Sequence, residues 1–414
     1  MNILNTISGW LLLVLGLAIS IGLHELGHLL PAKIFGVKVT KYMIGFGPTL
    51  FSRKKGETEY GIKALPLGGY IQMVGMIPPT NLNKKLNPWR KLAASVRPVE
   101  ELSAEDDARA FYRLAPWKKL IVMFGGPFAN LLIALTLTLV LFCGFGVMDR
   151  STTIKEVTPC LQTQSNPNCD QISEPSPAAA AGLKVGDKVL SLNGKKFNRW
   201  SEVDSTITQS VGKTIILEVL RDGQKLTLVA TPALIQDGTA SRGYLGIRLE
   251  PARFQQNPVE ATVSLGAMLY GTGEMILQLP VQAIQAVGQI NPGAPRDTTG
   301  AISIIGLGQF SGDLVGNTSL SVQDKFVTQL GLLLSLNVAL FVFNMIPLVP
   351  LDGGHMAGAT YEQFKRWIWR IRGKKLTEPV DTSQMMPVAY FVAALLLGLT
   401  VILMLRDILN PVHF

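Results

Sequence analysis

Ile21-Gly22-Leu23-His24-Glu25-Leu26-Gly27-His28-Leu29-Leu30 sets two histidines and a carboxylate at the end of an apolar run that begins near Ile7. From Ile7 to Leu30 the run has about the ~20 residues that a bilayer asks of a helix. Positions i and i+4 share a helix face, so His24 and His28 can grip one cation together. Glu25 stands beside them, where it can take a proton from a cation-bound water. The bland alternative is two hydrogen-bonded core histidines near a helix end. A His/Glu/His cluster at bilayer depth is costly unless it faces a protected, partly wet cavity. The stretch therefore points to a membrane protein with chemistry inside the bilayer.

This H-E-x-x-H spacing is the pattern of zinc peptidases. The chain has 4 histidines, His24, His28, His355 and His413, and two of them sit at ligand spacing. A catalytic zinc site usually takes three protein ligands and a water. A second candidate stretch runs Asn344-Met345-Ile346-Pro347-Leu348-Val349-Pro350-Leu351-Asp352-Gly353-Gly354-His355. Pro347 and Pro350 break the helix, and Gly353 and Gly354 allow an unusual backbone. That arrangement can aim Asp352 inward as the third ligand. Its alternative is an exposed Asp at a Pro/Gly-rich turn. His355 is the rival ligand.

Composition supports an embedded chain. Of 414 residues, 48% are hydrophobic and 16% charged, with a net charge of +9. Besides Ile7–Leu30, the runs Leu120–Val147, Leu330–Val349 and Val388–Leu405 approach spanning length. The stretch Val263–Ile290 carries Glu274, Gln278, Pro280, Gln282 and Gln285, and reads as an amphipathic helix near the surface. The first run lacks a basic leader and a small-residue cleavage site, so it is not an ordinary signal peptide. Lys and Arg crowd the loop Pro31–Lys119 and the segment Lys365–Lys375. The positive-inside rule puts both in the cytoplasm, and the termini and the long middle segment outside. Basic residues are not interleaved with aromatics, so the positive charge reads as topology, not nucleic-acid binding. Cys160 and Cys169 fall in the external segment, where they are either a disulfide or two free thiols.

After the first span, Lys38–Tyr42 and Tyr60–Met73 alternate between Gly-rich punctuation and read as strands. Such backbone is tolerated at membrane depth only where protein or water covers it. Its free edge would suit an unwound peptide segment. Ser103-Ala104-Glu105-Asp106-Asp107 reads as a helix start. In the middle segment, Ala181-Gly182-Leu183-Lys184-Val185-Gly186-Asp187 precedes Val189–Leu192, the turn Asn193-Gly194 and a hairpin through Asp222-Gly223. This order resembles a bacterial PDZ domain. The fold class expected is an α-helical polytopic membrane protein of about four transmembrane helices, with a membrane-associated β-hairpin element and an inserted α+β PDZ domain. The divisions are a first span at 1–31, a cytoplasmic loop with the β element at 32–119 and a second span at 120–148. An extracytoplasmic PDZ domain at 149–235, a linker with the amphipathic helix at 236–327 and a third span at 328–351 follow. A cytoplasmic loop at 352–387 and a fourth span at 388–414 complete the chain.

H-E-x-x-H in a first span with N-x-x-P-x-P-x-L-D-G-G in a later one resembles the site-2 protease family of intramembrane zinc metalloproteases. The likeness is to its bacterial RseP-type branch, in a single-PDZ form. Gly45-Phe46-Gly47, Pro66-Leu67-Gly68-Gly69-Tyr70 and Gly125-Gly126-Pro127-Phe128-Ala129-Asn130 extend it over nearly the whole chain. The resemblance implies one Zn2+ per chain on His24, His28 and Asp352, with Glu25 as general base. It implies that Asn344 contacts substrate backbone or the developing oxyanion. Gly45, Phe46, Gly47, Gly68, Gly69 and Tyr70 would belong to the element that presents substrate. The implied partners are transmembrane segments of single-span proteins, such as anti-sigma factors or signal-peptide remnants, peptide ligands of the PDZ domain and the lipid bilayer. The implied location is the inner (plasma) membrane.

Overall fold

The computed structural model describes residues 3–78, 102–161, 169, 174–237, 240–288, 303–373 and 382–410. The charged segment at 79–101, most of the loop between the two cysteines and Lys374–Lys375 lie outside the described residues. So do the last residues of the expected 263–290 helix.

The chain divides into two units, Met1–Leu141 with Pro258–Phe414, and Phe142–Asn257. The first begins with α1 (Ile3–Ile34), a hairpin of β1 (Val39–Lys55) and β2 (Thr58–Met73), α2 (Ala104–Ala108) and α3 (Pro116–Thr138). The α3 helix continues as a π-helical stretch, Leu139–Phe145. Among the described residues, four helical stretches are long and apolar enough to cross a membrane: Leu11–Ile34, Pro116–Phe145, Val322–Asn344 and Met386–Leu409. They fall on the four runs read from sequence. Exposed Leu11, Leu15, Ile19, Leu132, Phe391 and Leu397 coat them, as lipid-facing surfaces require.

Small residues set the tightest crossing. A Cβ on Gly27 would lie 2.2 Å from the Gly125 oxygen, and one on Gly125 2.0 Å from the Gly27 oxygen. Only glycine at both positions lets the α1 and α3 backbones touch.

The β element is richer than a plain hairpin. Tyr42–Ile44 pairs with Tyr60–Ile62 on one side and with Gly69–Ile71 on the other. The segment Gly69–Met73 is thereby left at an edge of the sheet. Tyr42 Oη donates to the Gly22 carbonyl at 2.7 Å, tying the sheet to α1. Ser103 caps α2 by accepting from the Asp106 N–H at 3.1 Å, as its acidic first turn predicts. Lys38 and the Arg109–Glu57 pair then bind this helix to the sheet.

The inserted unit, Phe142–Asn257, contains α4 (Pro177–Ala180), α5 (Asp204–Gln209) and strands β3 (Val147–Val157), β4 (Lys188–Leu192), β5 (Lys195–Lys196), β6 (Ile215–Arg221), β7 (Gln224–Ala230), β8 (Ala233–Asp237), β9 (Ala240–Tyr244) and β10 (Ile247–Phe254). The main sheet runs β10-β3-β4-β6-β7. Ile154, Leu192, Trp200, Leu217 and Val219 fill its core. The unit extends past the 149–235 read from sequence because β10 returns to pair with β3, a long-range contact that no local pattern announces. Cys160 and Cys169 are at disulfide bonding distance, with Cα atoms 5.7 Å apart.

The remaining helices are α6 (Pro258–Gly288), α7 (Ile304–Gly316), α8 (Val322–Asn344), α9 (Asp352–Ile371) and α10 (Met386–Leu409). The α6 helix covers the stretch read as amphipathic, and it packs on three spans, α3, α8 and α10, rather than lying apart from them. Helices α7 and α9 fall in stretches read as linker and loop. Gly353 and Gly354, expected to allow an unusual backbone after the helix-breaking prolines, occupy the first turn of α9. A Cβ on Gly353 would lie 2.3 Å from the Ile346 oxygen, so tight packing on the preceding turn explains glycine there.

Candidate metal centre

The α1 helix presents His24 and His28 on the face that meets α3, while α9 begins at Asp352 beside them. His24 Nε2 and His28 Nε2 are 3.2 Å apart. Asp352 Oδ2 lies 3.3 Å from His24 Nε2, and Oδ1 lies 3.3 Å from His28 Nε2. Among the described residues, these three side chains form the one group of three or more that could hold a metal ion.

The donor set fits zinc. Tetrahedral ligands at about 2.0 Å from a metal stand about 3.3 Å from one another. His28 Nδ1 is 2.8 Å from the Val122 carbonyl, which can only accept. Nδ1 therefore carries the proton, and Nε2 turns a lone pair toward the other two ligands. Asp352 Oδ2 is buried with no hydrogen-bond partner, an orphan that a cation would satisfy.

Glu25 is 8% exposed and faces the β element. A Cβ on Gly69 would lie 2.9 Å from Glu25 Cγ, so the edge segment passes directly over this carboxylate. Gly45 at φ +95° and Gly47 at φ +83° hold backbone that other residues rarely adopt. Phe46 stacks on Tyr70 with ring centroids 6.3 Å apart, and Gly68 makes room for the Phe46 ring. The six residues named from the β element thus come together on one sheet bordering Glu25. Asn344 is the last residue of α8, half-buried, and lies outside the ligand group.

His355 is not in that group either. It lines a cavity of about 20 Å³ with Lys119, Glu362 and Tyr112, and burial pushes its imidazole toward the neutral form.

Several supporting residues escaped the sequence reading. A Cβ on Gly126 would lie 2.1 Å from His28 Nε2, so this glycine makes room for the ligand. Lys119 donates to Glu362 Oε2 at 2.8 Å, and Arg366 donates to Glu362 Oε1 at 2.6 Å. Lys119 is 5% and Glu362 1% exposed. This buried pair joins α3 to α9, so one helix orients His28 through Val122 and holds the helix that carries Asp352. Gly125-Gly126 was the one visible signal, noticed as a motif without its reason. The Lys119–Glu362 pairing has no local signal at all.

Comparison with known proteins agrees with this geometry. The profile of peptidase family M50 matches residues 12–388. The zinc metalloprotease Rip1 of Mycobacterium tuberculosis is 32% identical over 430 residues, covering 98% of each chain. Rip1 of Mycolicibacterium smegmatis is 30% identical, covering 97% of this chain and 98% of its own. The metalloprotease MmpA of Caulobacter vibrioides is 28% identical, covering 85% of each. With a match across most of its length and a His/His/Asp group that could hold a metal ion, the chain belongs to peptidase family M50, the site-2 type of membrane zinc metalloprotease.

Proposed function

We propose that this chain hydrolyses peptide bonds inside transmembrane segments of single-span membrane proteins. The observation that carries the reading is the convergence of Asp352 on His24 and His28, at 3.3 Å from each, beside Glu25 on a membrane-length helix.

His24, His28 and Asp352 would hold the zinc. When bound, zinc supplies Lewis-acid activation of a water and of the scissile carbonyl. Glu25 takes the water proton and returns it to the leaving amine. A helical substrate hides its backbone, so it must unwind before attack. The edge segment Gly69–Met73 passes beside Glu25 with no strand on its outer side, and an unwound substrate can add there as a further strand. Asn344 serves the substrate backbone or the oxyanion. Gly- or Pro-containing segments should be preferred, since they unwind at least cost.

The order Ala181-Gly182-Leu183 through Asp187, and the β-rich core around Trp200, support reading the inserted unit as a PDZ domain. Its role would be to admit substrates already trimmed outside the membrane. The Lys/Arg distribution supports an external PDZ domain and cytoplasmic loops. Anti-sigma factors and signal-peptide remnants fit as substrates.

The test is Glu25→Gln in purified, membrane-reconstituted protein with a model single-span substrate. Zinc should stay near one per chain while cleavage stops. Normal turnover by that variant would sink the assignment.

A further inference from the structure

Helix α9 has a face that neither the metal centre nor the protein core uses. Its inner face, with Gly354, Gly358, Ala359 and Glu362, is buried. On the opposite face Phe364, Trp367 and Ile371 recur at i, i+3 and i+7, exposed by 54%, 57% and 67%. The Phe364 and Trp367 rings lie side by side, centroids 6.0 Å apart. At 100° per residue, Arg370 lies about 60° from Trp367 on one side of this stripe, while Arg372 and Lys365 lie about 80° and 100° from Phe364 on the other, within snorkelling reach of long side chains. Among the described residues, none of these three cations has an ion-pair partner. The one acid of the helix beyond Asp352 is Glu362, and it is turned inward.

The height of this face is marked by Lys119. That residue lies in the first turn of α3, where a span begins at Pro116. Its contact with Glu362 at 2.8 Å brings the middle of α9 level with the end of a membrane-crossing helix. Trp117, 52% exposed in the same turn, suits a membrane–water boundary. The α9 helix also lies between two spans, one ending at Asn344 and the next beginning at Met386. An aromatic stripe on a helix whose exposed charges beyond the metal centre are all cations, at that height, matches a negatively charged lipid surface.

We propose that the outer face of α9 is seated in the headgroup–acyl boundary of the bilayer, with Lys365, Arg370 and Arg372 binding anionic phospholipid headgroups. This rests on the chain being membrane-embedded and not on its proteolytic reading.

The test uses full-length Glu25→Gln protein, so catalysis plays no part. It is reconstituted in vesicles of mixed phosphatidylcholine and phosphatidylglycerol. In parallel samples bromine is carried high on the acyl chains of one lipid or the other. The quenching lost on Trp367→Phe isolates Trp367. The expected result is quenching by both lipids, severalfold stronger from brominated phosphatidylglycerol at equal mole fraction. Lys365→Gln/Arg370→Gln/Arg372→Gln should abolish that excess while leaving apolar quenching. Equal quenching from the two lipids would overturn the anionic preference. No quenching of Trp367 would show the face covered by protein or water. Loss of the excess on adding millimolar inorganic phosphate would mark a soluble-anion site and overturn the lipid assignment.

Discussion

Two buried charged clusters lie about one turn apart along α3, and they are built in opposite ways. At Lys119–Glu362–Arg366 every charge has a partner, with contacts of 2.8 and 2.6 Å. At His24–His28–Asp352 the electron-pair donors face one another, and Asp352 Oδ2 is left without a hydrogen. Burying polar groups is costly unless they are satisfied. A satisfied cluster is complete as protein and acts as a clamp. An unsatisfied cluster of lone pairs is complete only with a cation. The contrast separates scaffold from chemistry without appeal to motif.

The sharpest way to break the comparison is at the incomplete cluster. Asp352→Ala should drop bound zinc from about one per chain toward none, measured by elemental analysis after chelator challenge. Zinc held as tightly as in wild type would reopen His355 as a ligand. Glu25→Gln should leave zinc in place and cut cleavage by about 10²–10⁴-fold.

At the complete cluster the expected loss is in stability first. Glu362→Leu leaves Lys119 buried and unpaired, which costs about 3–5 kcal/mol, read as lowered thermal stability in detergent. Lys119→Met with Glu362→Leu should recover most of that loss, because a paired charge exchanged for packed apolar groups is nearly neutral. No recovery would show that the two residues do not act as a pair. Gly126→Ala acts on the incomplete cluster alone, since its Cβ would strike the His28 ring. It should weaken zinc retention while the rest of the fold survives, as circular dichroism and chelator release would show.

The smallest effect belongs to the inserted unit. Burial would push the Asp187 carboxyl up, but the Arg221 guanidinium and the Lys184 N–H outweigh it and hold it below the usual carboxylate range. Its folded pKa is thus lower than the unfolded value near 3.9. The stability it contributes is present above that unfolded value and is lost as pH falls through the folded one. Asp187→Asn should therefore lower protection from hydrogen exchange in β4 and β6 at neutral pH. The loss should be about 1–3 kcal/mol and should shrink below about pH 4. An unchanged gap at acid pH would assign the effect to packing instead.

The sequence alone determined the spans, because a bilayer demands about 20 apolar residues in one uninterrupted run. It also picked out two ligand candidates and the general-base candidate, because His24, Glu25 and His28 are brought together by a single helical turn. From the residues alone Asp352 was an Asp in an unusual Pro/Gly setting with His355 as its rival, and the family resemblance was what favoured it. Its pairing with residues more than three hundred positions away is a property of how α1, α3 and α9 pack. The tertiary structure alone decided the Lys119–Glu362 clamp, the clearance at Gly126, the return of β10 to β3 and the edge segment above Glu25. Helical periodicity reports which residues share a face, but not which distant face will meet it, and each of these features is a meeting of two faces.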